Sequence, residues 1–360
     1  TRVIDITTGR PFPYADEQYM ENWGWSQDKS ADELGAYLAY ALKVLKNAGL
    51  SEIGIVVNDM SSPIVTKMGD GADLNVNIEY IVQEEQLGLA HAINLCKDFV
   101  GDETFCVFLG DNIFQDMVED LLRGFEASDN EAAIALVPVP DPERFGIAFV
   151  EGDRIVELKE KPQNPTSNLA ISGVYLFRPS IFEAIKQIKP SARGELEITD
   201  AMQVLVKSDK KVLPYTLKGW WIDAGKPNAI INANQLVLGD MPYTPAPDGK
   251  HITDSEVSHR VILGENTKII NSVIRGPVII GDNVTIENSY IGPYTAIGDN
   301  VTVESSEVEA SIVMKNCELR QLPGRIDSSL LADNTIVASS AARTPAVYRF
   351  ILAENSYVQL

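Results

Sequence analysis

Leu263-Gly-Glu-Asn-Thr267, Ile280-Gly-Asp-Asn-Val284 and Ile297-Gly-Asp-Asn-Val301 follow one another at intervals of 17 residues. Ile269, Ile286 and Val303 keep the same period, and so do Ile274, Ile291 and Val308. Within each period an aliphatic residue returns every five or six positions. That is the hexapeptide rhythm of a β-helix. Three short strands make one triangular coil, each turns an aliphatic side chain inward, and stacked coils bury a continuous apolar column. A sandwich of short strands gives no reason for a fixed period. The repeat fades after Glu309, although 311–313 and 329–331 extend it. The tail 348–360 is expected to cap the last coil. The β-helix is therefore placed at 251–360.

Upstream of it, 241–249 holds three prolines and little apolar material, so 241–250 reads as a linker. Residues 1–240 follow a different rhythm. Apolar, β-branched stretches at 2–8, 53–57, 77–82, 105–109 and 132–139 read as strands. Helical spacing at 31–48, 87–99 and 117–128 separates them. This alternation predicts an α/β unit whose parallel or mostly parallel sheet is covered on both faces. The pattern then becomes mixed. Gly152-Asp153 signals a hairpin, strands are expected at 171–177 and 212–218, and helices at 179–186, 198–208 and 228–239.

The chain of 360 residues carries 30 Lys and Arg against 51 Asp and Glu, a formal charge of −21. Such a surface repels nucleic acid and anionic membranes. No apolar run approaches the ~20 residues that span a bilayer. The three cysteines, Cys96, Cys106 and Cys317, are far apart, lack metal-site spacing and suit a reducing cytoplasm. No signal peptide is read before the first strand. The expected setting is cytoplasmic. An anionic substrate would need a divalent cation or a local Lys/Arg cluster to offset the field.

Several polar stretches are not explained by folding alone. Phe105-Cys-Val-Phe-Leu-Gly-Asp111 is a buried strand that stops abruptly, which places Asp111 where open α/β sheets hold ligands. Asp111 is a candidate metal ligand, with a helix cap as the plainer reading. Gln83 directly follows a strand, where an amide can read a base edge, and Gly88 allows close approach of a planar ring. Gly146, in Arg144-Phe-Gly146, marks a bulge or a ligand approach. Glu160 is suited to accept sugar hydroxyls and Lys161 to pair with a phosphate. Gly173 and Tyr175 share a strand face, and Arg193 is one of few cations nearby. Asp223, at the end of Gly219-Trp-Trp-Ile-Asp223, offers a second oxygen ligand from a different strand. Mg²⁺ takes one or two protein carboxylates and completes its shell with water and phosphate oxygens.

In order and spacing, these stretches resemble the sugar-1-phosphate nucleotidylyltransferases, above all long-form glucose-1-phosphate thymidylyltransferases. The resemblance runs from about Ala31 to the end. It rests on Gln83…Gly88-Leu-Ala90, Leu109-Gly-Asp-Asn112, Glu160-Lys-Pro162, Gly173-Val-Tyr175, Arg193-Gly-Glu-Leu-Glu-Ile-Thr-Asp200 and Trp221-Ile-Asp-Ala-Gly225. It implies a Rossmann-like nucleotidyltransferase domain with a mixed sheet, followed by a left-handed parallel β-helix. It further implies transfer of a nucleotidyl group from a nucleoside triphosphate (dTTP or UTP) to a sugar 1-phosphate, with Mg²⁺ and release of pyrophosphate. By this resemblance Asp111 and Asp223 bind the metal, and Gln83 and Gly88 meet the base. Gly146, Glu160 and Tyr175 match sugar contacts and Lys161 the lysine that holds the sugar phosphate; Gly173, on the strand face of Tyr175, and the cation Arg193 complete the expected sugar-phosphate set. Asp111, Lys161 and Asp223 form the catalytic set, and a homo-oligomer is expected.

One segment departs from the family. Where a glycine-rich triphosphate loop would follow the first strand, only Gly9 remains, and Arg10-Pro-Phe-Pro-Tyr-Ala-Asp-Glu17 follows it. This departure motivates a second reading, a non-catalytic relative that binds a sugar nucleotide as a regulatory or assembly subunit. A third reading makes the β-helix an acyltransferase with His251 or His259 as base, although surface histidines explain both.

Overall fold

The computed structural model describes residues 2–5, 45–46, 48–115, 118–223, 227–247 and 251–339. Gly9, the 10–30 segment, most of the expected 31–48 helix and the 348–360 tail lie outside the described residues. The chain forms two units, the first ending at Asp223.

The strands of the first unit are β1 (Arg2–Asp5), β2 (Glu52–Val57), β3 (Asn77–Val82), β4 (Phe105–Phe108), β5 (Asn112–Phe114), β6 (Ala132–Pro138), β7 (Gly146–Glu151), β8 (Arg154–Glu160), β9 (Leu169–Phe177), β10 (Val212–Thr216) and β11 (Trp221–Asp223). The main sheet runs β10-β6-β9-β4-β1-β2-β3. β1 to β4 are mutually parallel, and β9 is antiparallel to both β4 and β6, so the sheet is mixed. The β7–β8 hairpin joins through β9, while β5 and β11 make a separate antiparallel ribbon.

Side chains of a strand alternate between faces, and here the two faces feed two cores. Phe105 and Val107 of β4 enter one core with Tyr175 and Phe177 of β9. Cys106 and Phe108 enter the other with Val174 and Leu176. Helices α2 (Leu89–Leu95), α5 (Ser180–Ile185) and α6 (Ile198–Lys207) cover the first face. Helices α1 (Pro63–Met68) and α4 (Glu119–Glu126) cover the second. All four residues of β4 are fully buried, which is why that strand reads as an unbroken apolar run. The expected 87–99 helix is instead two pieces, α2 and α3 (Lys97–Val100). The Cys96 N–H bonds back to Ile93 O, tightening the last turn of α2 and ending it.

The second unit holds α7 (Pro227–Gly239) and a solenoid of three parallel sheets with six, five and five strands. This is a parallel solenoid of about five turns, consistent with the left-handed β-helix expected. Ile269, Ile286 and Val303 stack in register, as do Ile274, Ile291 and Val308, all without exposed surface. The Gly-Asp-Asn signature is a corner. Asn266, Asn283, Asn300, Asn316 and Asn334 all have φ between +57° and +62°, a left-handed turn that asparagine tolerates better than most residues. Their side-chain amides form a ladder from coil to coil.

The fading of the repeat has a cause in the corners. Ala296 pairs with Ile312, one residue short of the period, and Glu307 pairs with Arg325, one residue beyond it. One residue is lost before Ile312 and two are added at 321–324, while the inward column continues through Val313, Leu319 and Leu331. By its contacts helix α7 groups with the solenoid. Asn234 Nδ2 donates to Tyr294 O, and the Arg260 guanidinium donates to Leu238 O and Gly239 O. A cation there satisfies the last carbonyls of the helix. Residues 241–247 carry no regular secondary structure. Among the described residues no helix is long and apolar enough to cross a membrane.

Candidate active site

The C-terminal ends of two parallel strands carry Gln83 and Asp111. Gln83 follows β3, and Asp111 follows β4 after Leu109-Gly110. The chain then enters β5, which pairs with β11 so that Asn112 stands opposite Asp223. Facing residues in an antiparallel pair lie ~4.5–5.5 Å apart between Cα atoms. Asp223 therefore faces the immediate neighbour of Asp111. A three-residue ribbon thus places Asp223, exposed like Asp111, across from the residue next to Asp111.

Asn112, only 5% exposed, holds the ribbon in place. Its Nδ2 donates to Asp111 Oδ1 at 2.7 Å, and its Oδ1 accepts from Trp221 Nε1 at 2.8 Å. It links one acid to the strand that carries the other. Gly173 makes room for this amide. Its φ is +81°, and a Cβ there would lie 2.9 Å from Asn112 Nδ2. The register of β9 against β6 shifts at this point, a bulge.

The second group gathers around Glu160. It pairs across the hairpin with Gly146, where a Cβ would come within 3.0 Å of Glu160 Oε2. Thr199 Oγ1 donates to Glu160 Oε2 at 2.8 Å, and Arg193 donates to Oε1 at 3.2 Å. Arg193 also donates to the buried Glu197 at 2.9 Å and lies 3.9 Å from Glu195. Expected as an anion contact, Arg193 here sits among three carboxylates. Desolvation, followed by the nearby Glu197 charge, raises the Glu160 pKa above its ordinary value, although Thr199, Lys161 and Arg193 oppose the shift. Lys161 Nζ lies 3.9 Å from Glu160 Oε1, and its backbone has φ +42° with its N–H bonded to Phe145 O.

Tyr175 lies in β9. It is buried and stacked on Phe177, and its pKa is raised by desolvation first, then by the charges of Glu160 and Asp111. Gln83 is 2% exposed and directs Nε2 to Gly88 O at 3.3 Å and to His91 Nδ1 at 3.0 Å. A Cβ on Gly88 would meet the Leu196 backbone at 2.6 Å. The fold therefore needs that glycine, whatever approaches its other face.

Sequence reading missed four residues of this arrangement, namely Asn112, Glu197, Thr199 and His91. Asn112 had a signal, a buried polar residue within an apolar run, whereas His91 looked like any polar residue on a helix face. The acids fit a hard divalent cation, which takes one or two protein carboxylates plus water and substrate oxygens. Among the described residues no group of three or more His, Cys, Asp or Glu gathers for a metal.

Residues 33–239 match the Nucleotidyl transferase family. The chain is 43% identical over 327 residues to the low-salt glycan biosynthesis nucleotidyltransferase Agl11 of Haloferax volcanii, covering 90% of this chain and 91% of that protein. It is 39% identical over 324 residues to a glucose-1-phosphate thymidylyltransferase of Streptomyces griseus, covering 90% of each. Among solved structures, a Bacillus anthracis protein assigned as a glucose-1-phosphate thymidylyltransferase, in complex with a sucrose, superposes with a TM-score of 0.55 at 32% identity. That match covers 68% of this chain and 97% of the other. The chain belongs to the nucleotidyltransferase family and is an enzyme of nucleotidyl transfer.

Proposed function

We propose that the protein transfers a nucleotidyl group from dTTP or UTP to a sugar 1-phosphate, with glucose 1-phosphate as the sugar substrate. An oxygen of the sugar phosphate attacks the α-phosphorus, the bond to the β-phosphate oxygen breaks, and pyrophosphate leaves. The product is a nucleoside-diphosphate sugar. The observation that supports the reading is the β5–β11 ribbon, which pairs Asp223 with Asn112, the residue next to Asp111. The names of the relatives support transfer over the alternative of a binding subunit.

Asp111 and Asp223 would hold Mg²⁺, which when bound neutralises charge on phosphate oxygens. The chain itself positions the reactants, which is most of what phosphoryl chemistry asks of a protein. Glu160, fixed by Thr199 and Arg193, accepts sugar hydroxyls, and Gly146 lets the sugar come close. Lys161 supplies positive charge for the sugar phosphate, and Gln83 meets the base.

The test is pyrophosphate release from purified protein with Mg²⁺, glucose 1-phosphate and each nucleoside triphosphate in turn. Release with dTTP or UTP is expected. No release with any sugar phosphate and triphosphate pair would sink the proposal.

A further inference from the structure

Gln83 carries an unused acceptor. Its own N–H bonds to Val57 O, which anchors the residue at the end of β3. Its side-chain Nε2 faces Gly88 O and His91 Nδ1. A backbone carbonyl can only accept, so the amide nitrogen, not the oxygen, must face Gly88. The other N–H then points at His91, whose Nδ1 must be the accepting nitrogen, with the ring proton on Nε2. Both amide donors are occupied within the protein. Oε1 has no partner among the described residues. Nor is it one of their buried unpaired side-chain atoms, which are Thr244 Oγ1 and Thr295 Oγ1. A side chain that is 2% exposed thus opens one atom outward, and that atom is an acceptor.

We propose that Gly88 O and His91 lock Gln83 with its oxygen outward, so that the base subsite reads a ring N–H and rejects a ring lone pair. His91 is the positioning residue for this selection. The proposal rests on the reading of Gln83 as the residue that meets the base. Thymine and uracil both carry N3–H and satisfy the acceptor. Cytosine turns the N3 lone pair toward it and leaves a desolvated oxygen unpaired. The 5-methyl group that separates thymine from uracil is not on the N3 edge, so the lock accepts both bases.

The experiment is calorimetric titration of dTTP, dUTP and dCTP, which share one sugar, into the wild type, His91→Leu and His91→Asn. The wild type is expected to bind dTTP and dUTP alike and dCTP roughly a hundredfold or more weakly, as sites with a buried polar reader do. In His91→Leu the amide loses its second acceptor and can turn, so the dTTP to dCTP preference falls about five- to tenfold. His91→Asn offers an oxygen in place of Nδ1 and keeps the wild-type preference. A purely structural role for His91 would weaken all three nucleotides equally, and the ratio is insensitive to the fraction of folded protein. The lock is overturned by a wild type that does not distinguish dCTP, by an unchanged ratio in His91→Leu, or by no nucleotide binding. Failure of the functional reading looks different: nucleotides bind with the expected preference, yet no pyrophosphate forms.

Discussion

Replacing Asn112 by alanine tests whether the acidic pair is held by one buried amide. The substitution removes two hydrogen bonds, one to the Asp111 carboxylate and one from the Trp221 indole. A bond to an ionised group contributes about 1.5–3 kcal/mol and a neutral one about 1 kcal/mol. Asp111 is exposed, so its share falls at the low end. The sum is a loss of about 2–3 kcal/mol, measured by urea unfolding with an unchanged denaturant slope. A double-mutant cycle with Trp221→Phe isolates the indole bond, and a coupling of about 1 kcal/mol is expected. In activity assays Asn112→Ala should raise the Mg²⁺ concentration needed for half-maximal rate, because Asp111 loses its fixed orientation. Additivity of the two substitutions within about 0.3 kcal/mol, together with an unchanged Mg²⁺ requirement, would refute the claim that Asn112 couples the ribbon to the acid.

Asp223→Asn should lower pyrophosphate release roughly a hundredfold or more at fixed Mg²⁺ and weaken Mg²⁺ binding in titration, while leaving thermal stability nearly unchanged. Glu160 gives a pH signature. Its folded pKa is raised by desolvation, so its stabilising contribution is complete below the ordinary value of 4.5 and is lost as pH rises through the raised value. The stability advantage of Glu160→Gln over wild type should therefore grow with pH across that window in urea unfolding, and an advantage that shrinks instead would contradict the assigned cause. Asn300 sits at φ +57° in the corner ladder, so Asn300→Ala should cost about 1–2 kcal/mol in thermal unfolding. Asn300→Gly should recover most of the backbone part, since glycine adopts that conformation freely.

The solenoid was legible because each coil repeats one inward side chain at one spacing, so period and fold are the same statement. Its last coils were harder to read because residues were lost and added at corners, which shifts the spacing without disturbing the column. Asp111 and Asp223 were legible as carboxylates at strand ends. Their adjacency was not, since three-residue strands such as Trp221–Asp223 are too short to show alternation. Arg193 illustrates a different difficulty. Sequence counts cations but does not show that Glu160 and Glu197 already surround one. Likewise, the bond from Gln83 to His91 joins residues eight apart across a loop and a helix start, a distance that no local rule connects.

The corner at 321–324 shows that this scaffold separates length from order. Two residues enter there, one is missing just before Ile312, and the next strands still find their partners. Loops can thus be exchanged at corners one at a time, and whole coils can be added or removed as units. For protein engineering, this unit is a ruler with replaceable pegs, on which new recognition loops can be grafted at chosen heights.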